Sequence, residues 1–126
     1  MVSKLQRTDA DIHKAVNDWC KDPAKAAVEY GHISKWNTSL VTDMKGLFQG
    51  KSDFNDDISK WNVSSVTNME RMFCDTSFNG DVSGWNVSSV TNMYGMFEGC
   101  LVPEEHKPIS QLLQHDITWR KLKGNY

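Results

Sequence analysis

The sequence predicts an α/β fold, a short right-handed leucine-rich-repeat-like solenoid with helical N- and C-terminal caps. Three observations predict it. One phrase recurs, as ISKWNTSLVTDMKGLF from Ile33, ISKWNVSSVTNMERMF from Ile58 and VSGWNVSSVTNMYGMF from Val82. Its tryptophans, Trp36, Trp61 and Trp85, stand 25 and 24 residues apart, and a fixed period of roughly 20 to 50 residues marks a solenoid. Within each copy the apolar period switches partway along. Outside residues 33–100 the phrase is lost and other patterns take over. The expected organisation is one domain over 1–126, with a helical N-terminal cap at 1–32, three copies at 33–100 and a C-terminal cap at 101–126.

In the N-terminal cap, Thr8 precedes Ile12, Ala15, Val16 and Trp19, which share one helical face. Asp22 then suits an N-cap, Pro23 a first helical turn and Gly31 a C-terminal cap, so the segment reads as a helical hairpin laid over the first copy. In the middle copy Ile58, Trp61 and Val63 have leucine-rich-repeat spacing, and Trp61 and Val63 share one face of a short strand. Val66, Met69, Met72 and Phe73 fall on one helical face. Ser64, Ser65 and Thr67 stand where that helix must begin, and Thr67 with Glu70 has the spacing of a capping box. The stretches Phe54–Asp57 and Phe78–Asp81 read as loops.

Burial of one copy on the next predicts a tryptophan ladder of Trp36, Trp61 and Trp85 at about 4.8 Å spacing. Met44, Met69, Met72, Met93 and Met96 read as core filler in the same way. Beyond the last copy Pro103 and Pro108 break the pattern. There Ile109, Leu112, Leu113 and Ile117 are expected to form a covering helical stripe, and Arg120, Lys121 and Lys123 a solvated tail.

With Trp61 and Val63 turned inward, the outward residues are Lys35, Asn37 and Ser39, then Lys60, Asn62 and Ser64, then Asn86 and Ser88. They tile one polar face and are the candidate partner-binding residues. A second reading of the same row is an amide ladder in which Asn37, Asn62 and Asn86 bond one another or nearby backbone. Each also opens an Asn-x-Ser triplet, a formal glycosylation acceptor, read here as coincidence without a secretory route.

The repeated phrase W-N-[TV]-S-x-V-T-[DN]-M-x-x-[LM]-F, with F-N-x-D ahead of the next copy, resembles the BspA-like leucine-rich repeat family. The likeness covers residues 33 to about 100, and the lead-in from Ala15 to Met44 is similar to the cap that precedes such repeats. Members occur as repeat-built surface and adhesion proteins of bacteria and protists and in large viruses of algae. The resemblance implies protein binding and no catalytic residues.

Composition agrees with a binding or structural role. The net charge of −2 offers no general attraction to nucleic acid or to an anionic membrane. No run of about 18 apolar residues is present to span a bilayer, and the opening MVSKLQRTDADIHK lacks a signal's apolar core. A cytoplasmic or intracellular location is expected, with surface or virion association as a further possibility. Cys20, Cys74 and Cys100 are odd in number and unlike in repeat position, hence reduced thiols.

Asp53, Asn55 and Asp57 open like a calcium loop, but Ile58 replaces its glycine and Ser64 its final glutamate. His13, His32, His106 and His115 never fall into zinc spacing. No nucleophile elbow or phosphate loop appears, so neither enzyme activity, metal nor cofactor is expected. The function predicted is a non-catalytic protein-interaction or structural module, self-assembling or part of a larger complex. The alternative is recognition of a glycan or other repetitive surface. Ice is disfavoured because Lys35 and Lys60 interrupt any flat hydroxyl array.

Overall fold

Two helices begin the fold in the computed structural model, which describes residues 3–108. Helix α1 (Ile12–Lys21) buries Ile12, Ala15, Val16 and Trp19 on one face, and α2 (Pro23–Tyr30) packs beside it through Ala26 and Tyr30. Asp22 joins them. Its N–H donates to the Asp18 carbonyl, and its carboxylate accepts from the Lys25 N–H at 3.2 Å, with Pro23 following where a missing donor costs nothing. Gly31 ends α2 at φ 77°, and a side chain there would run into Leu5. The hairpin therefore forms as its sequence signals say.

The copies do not form as predicted, and the α/β leucine-rich-repeat-like solenoid is overturned. Among the described residues there is no β-strand, hence no sheet, and no α-helix lies inside any copy. The copies are successions of turns. Isolated parallel bridges join Asp43 to Asn68 and Asn68 to Asn92, and another joins Gln6 to Asn37.

Backbone geometry explains both failures. Gly46, Gly50, Arg71, Asp75, Gly95 and Gly99 all have φ between 54° and 72°, and in each copy this pair of left-handed residues, four apart, breaks a right-handed helix. The strand fails because the N–H groups of Trp61 and Val66 turn back to Ile58 and Val63 carbonyls at 3.1 and 3.0 Å, leaving no ladder. The capping box of Thr67 and Glu70 is replaced as well. Thr67 donates its N–H and its hydroxyl to the Thr42 carbonyl at 2.8 and 3.3 Å, while the Glu70 N–H donates to Asn68 Oδ1 at 2.9 Å.

Backbone bonds still tie copy to copy. Met44, Gly46, Phe48 and Gly50 donate to Asn68, Glu70, Met72 and Cys74 at 2.8–2.9 Å, and Met69, Arg71, Phe73 and Asp75 donate one copy further on at the same distances. Alternate residues thus reach the next copy, while the N–H groups of Leu47, Met72 and Cys74 between them turn back to the Met44, Met69 and Arg71 carbonyls of their own copy.

The inward set is the predicted one. Trp36, Trp61, Trp85 and all five methionines named above are at most 3% exposed, and burying each such side chain contributes about 1.5–3 kcal/mol. The ladder differs in composition, however. The continuous aromatic column is phenylalanine, with Phe48, Phe73 and Phe97 at 5.6 and 5.8 Å between ring centres and tilted by no more than 9°. Trp36 stacks on Trp61 at 6.1 Å, but the tryptophans mainly stitch backward. The indole N–H groups of Trp61 and Trp85 donate to the Ile33 and Ile58 carbonyls of the copy before, at 2.8 and 3.2 Å.

A buried cation closes each end of this core. Arg7, 3% exposed, lies over the rings of Tyr30 and Trp36, and Lys107 lies over Phe97. Asp11 and Glu104 pair with them at 3.4 and 2.8 Å. The Val82 N–H donates to the His106 carbonyl at 2.9 Å, so the short 3-10 turn Glu104–His106 continues the cross-copy pairing. The predicted stripe of Ile109, Leu112, Leu113 and Ile117, and the basic residues Arg120, Lys121 and Lys123, lie outside the described residues.

Candidate functional site

The structure places Lys35, Asn37, Lys60, Asn62, Asn86 and Ser88 in exposed positions, with Ser39 and Ser64 half-buried. Copies one and two meet at this face, where the Thr38 hydroxyl donates to the Asn62 carbonyl at 2.7 Å. The residues thus follow one another across neighbouring copies, above buried Trp36, Trp61 and Trp85.

The amide ladder predicted among Asn37, Asn62 and Asn86 gives way to local bonding. Each Oδ1 accepts the N–H two residues on, from Ser39, Ser64 and Ser88, all at 3.0 Å. Ser64 adds its hydroxyl at 2.6 Å. These are Asx-turns, and they give Asn-x-Ser a structural reason that has nothing to do with a glycan. Each copy has three such corners. Asp43, Asn68 and Asn92 close a second with Lys45, Glu70 and Tyr94, and Asp57 and Asp81 close a third with Ser59 and Ser83. His32 holds the matching place in the first copy, its Nδ1 accepting the Ser34 N–H at 3.1 Å. The bonds from Ser59 and Ser83 hold the carboxyls of Asp57 and Asp81 below their ordinary range.

A side-chain amide ladder does exist, one corner away. Asn55 Nδ2 donates to Asn79 Oδ1, and the Asn79 N–H returns to Asn55 Oδ1, both at 3.1 Å. Reading the sequence at its own 24-residue offset points to this pair. Asp9 was less visible. Its carboxylate accepts from the Thr42 N–H and hydroxyl at 2.8 and 2.6 Å and from the Asp43 N–H at 3.2 Å, standing where a preceding copy's threonine carbonyl would be. Burial alone would push its carboxyl up, yet these bonds hold it below its ordinary value.

Two of the calcium-like trio are otherwise engaged, Asn55 with Asn79 and Asp57 with Ser59. Among the described residues no group of three or more His, Cys, Asp or Glu is placed to hold a metal ion. Cys20, Cys74 and Cys100 are free, and burial pushes the thiols of Cys20 and Cys74 up. Among the described residues no helix is long and apolar enough to cross a membrane.

The chain belongs to the family described as Mycoplasma protein of unknown function, DUF285, whose pattern matches residues 14–111. Neither curated proteins nor solved structures returned a match. Nothing in these comparisons links the chain to BspA-like leucine-rich repeats.

Proposed function

We propose that this chain is a non-catalytic protein-interaction or structural module, working as one component of a larger assembly. The observation that carries the reading is the row of Lys35, Asn37, Lys60, Asn62, Asn86 and Ser88. These side chains are exposed on corners whose backbone is already satisfied, directly above a fully buried core. Such a surface meets a partner without disturbing what holds it. The row is small against the roughly 800 Å² per partner of a stable interface, so a partner also touches the hairpin or the turn side. The free thiols favour an intracellular setting, and the charge of −2 favours neither nucleic acid nor membrane as partner.

The asparagines are needed for the corners, so the test falls on the lysines, whose side chains make no hydrogen bond or ion pair among the described residues. Lys35→Glu with Lys60→Glu leaves the melting temperature within a degree or two and reduces recovery of crosslinked partners from native extract, chiefly through faster dissociation. Equal recovery of the same partners by the folded variant would move the binding surface off this face.

A further inference from the structure

Two cavities flank the helical hairpin, and their polar rims differ. The one of about 290 Å³ on the outer side of the hairpin is lined by Lys14, Asp18, Lys21, Asp22, Lys25 and Glu29 with no aromatic wall, and its two aspartates are already engaged. Lys14 pairs with Asp18 at 2.8 Å, Asp18 also accepts from the Tyr30 hydroxyl at 2.6 Å, and Asp22 caps α2. The other, about 230 Å³, lies between the hairpin and the turn that follows the first copy. Its apolar wall is Trp19, Cys20 and Phe54, and its rim carries Lys51, Asp53 and Asp56. Trp19 Nε1 donates to Asp56 Oδ2 at 2.9 Å, which fixes that carboxylate, and its second oxygen has no hydrogen-bond partner among the described residues. The side chains of Lys51 and Asp53 have no hydrogen-bond or ion-pair partner among the described residues.

We propose that this cavity takes the side chain of an arginine presented by a protein partner. Size supports one side chain, since pockets for whole small ligands run from about 300 to 1,000 Å³. Charge supports a cation, because two carboxylates face one ammonium. Guanidinium answers both features of the walls, forking onto a carboxylate with its planar donors while lying against aromatic surface. Arginine is also among the residues that anchor interfaces by filling a pocket. The proposal rests on the protein-binding reading and adds to it a second contact, on the hairpin side, which the small polar face requires.

The experiment titrates the full ¹⁵N-labelled chain with Nα-acetyl-arginine amide and follows the Trp19 indole N–H. A saturable shift is expected, with a Kd of roughly 1 mM, as suits one isolated side chain. Asp53→Asn weakens it several-fold and Lys51→Met tightens it, while neither moves the melting temperature by more than a degree or two. Nα-acetyl-norleucine amide and Nα-acetyl-glutamate amide leave the signal in place. No shift with the arginine probe, an equal shift with norleucine, or binding of the glutamate probe that Lys51→Met abolishes would each overturn the proposal. Because the probe is a single side chain, its failure strikes the cavity alone. Failure of the Lys35 and Lys60 variant strikes the polar face.

Discussion

The helical hairpin and the three copies are held by different kinds of bond, though one apolar core runs through both. In α1 and α2 the backbone satisfies itself within each helix, and side chains intervene only at the junction, through Asp22. In the copies little backbone bonding is regular. Corners are closed by Asn, Asp and one His, and the stretches between reach across to the next copy. A helix can absorb a polar substitution on its surface because its hydrogen bonds do not depend on that side chain. A corner cannot, since its exposed side chain is one of the two bonding partners. Exposure is therefore a guide to tolerance in the hairpin and a poor one in the copies.

The largest effect expected from breaking this comparison is in the shared core. Trp61 is 3% exposed, stacks on Trp36 and donates its indole N–H to the Ile33 carbonyl. Trp61→Ala should cost about 3–5 kcal/mol, read as a drop in the thermal melt followed by circular dichroism. A melt within a degree or two of the parent would remove Trp61 from the core.

Next come exposed residues of each region. Asn62→Ala removes an acceptor of two bonds, to the Ser64 N–H and hydroxyl, and should cost about 1–2 kcal/mol despite its exposure. Asn62→Ala is best compared with Lys21→Ala, an exposed hairpin residue expected to change stability by less than about 0.5 kcal/mol. Denaturant melts of the two that coincide would erase the distinction. Asp22→Ala, where the hairpin does depend on a side chain, should cost about 1 kcal/mol, and the loss should show first in amide exchange of α2.

A smaller effect concerns acid. The carboxyls of Asp57 and Asp81 are depressed from 3.8 in the fold. Their contribution is therefore complete above the unfolded value and is lost as pH falls through the lower folded value. Stability should decline on going below about pH 4, and Asp57→Asn, which keeps the corner's acceptor oxygen, should remove part of that decline. Melts at neutral pH and near pH 3 decide it. An undiminished acid response in the variant would place the sensitivity elsewhere.

Which side chains point inward was legible, because Trp36, Trp61, Trp85 and the methionines are sorted by apolar pattern alone. The hairpin was legible too, since Asp22, Pro23 and Gly31 act on their own neighbours. Secondary structure inside the copies was not. Val66, Met69, Met72 and Phe73 have helical spacing, yet the same spacing serves a run of turns, and nothing in the letters Arg71 and Asp75 announces a left-handed backbone. Six of the eight residues read as outward are exposed, with Ser39 and Ser64 half-buried, while the bonds of Asn37, Asn62 and Asn86 were assigned to the wrong partners. Arg7, Asp9 and the Trp19–Asp56 bond depend on residues brought together from more than 20 positions away, and no local pattern marks them.

The central claim is that the copies are closed by left-handed turns where their apolar spacing suggests a helix, and Gly46 tests it by sign. It stands in the first copy at the place that Arg71 holds in the middle copy's Val66–Phe73 stretch, which reads as helical, yet has φ 60°, and an added Cβ would come closest to the flexible end of Gln49, at 3.1 Å. In a helix, Gly46→Ala stabilises by about 1 kcal/mol. In this structure it forces a side chain into the left-handed region and should destabilise by about 1–2 kcal/mol. Denaturant melts of parent and variant give the answer: a lower midpoint is the predicted result, and a higher one would contradict the turn structure of the copies.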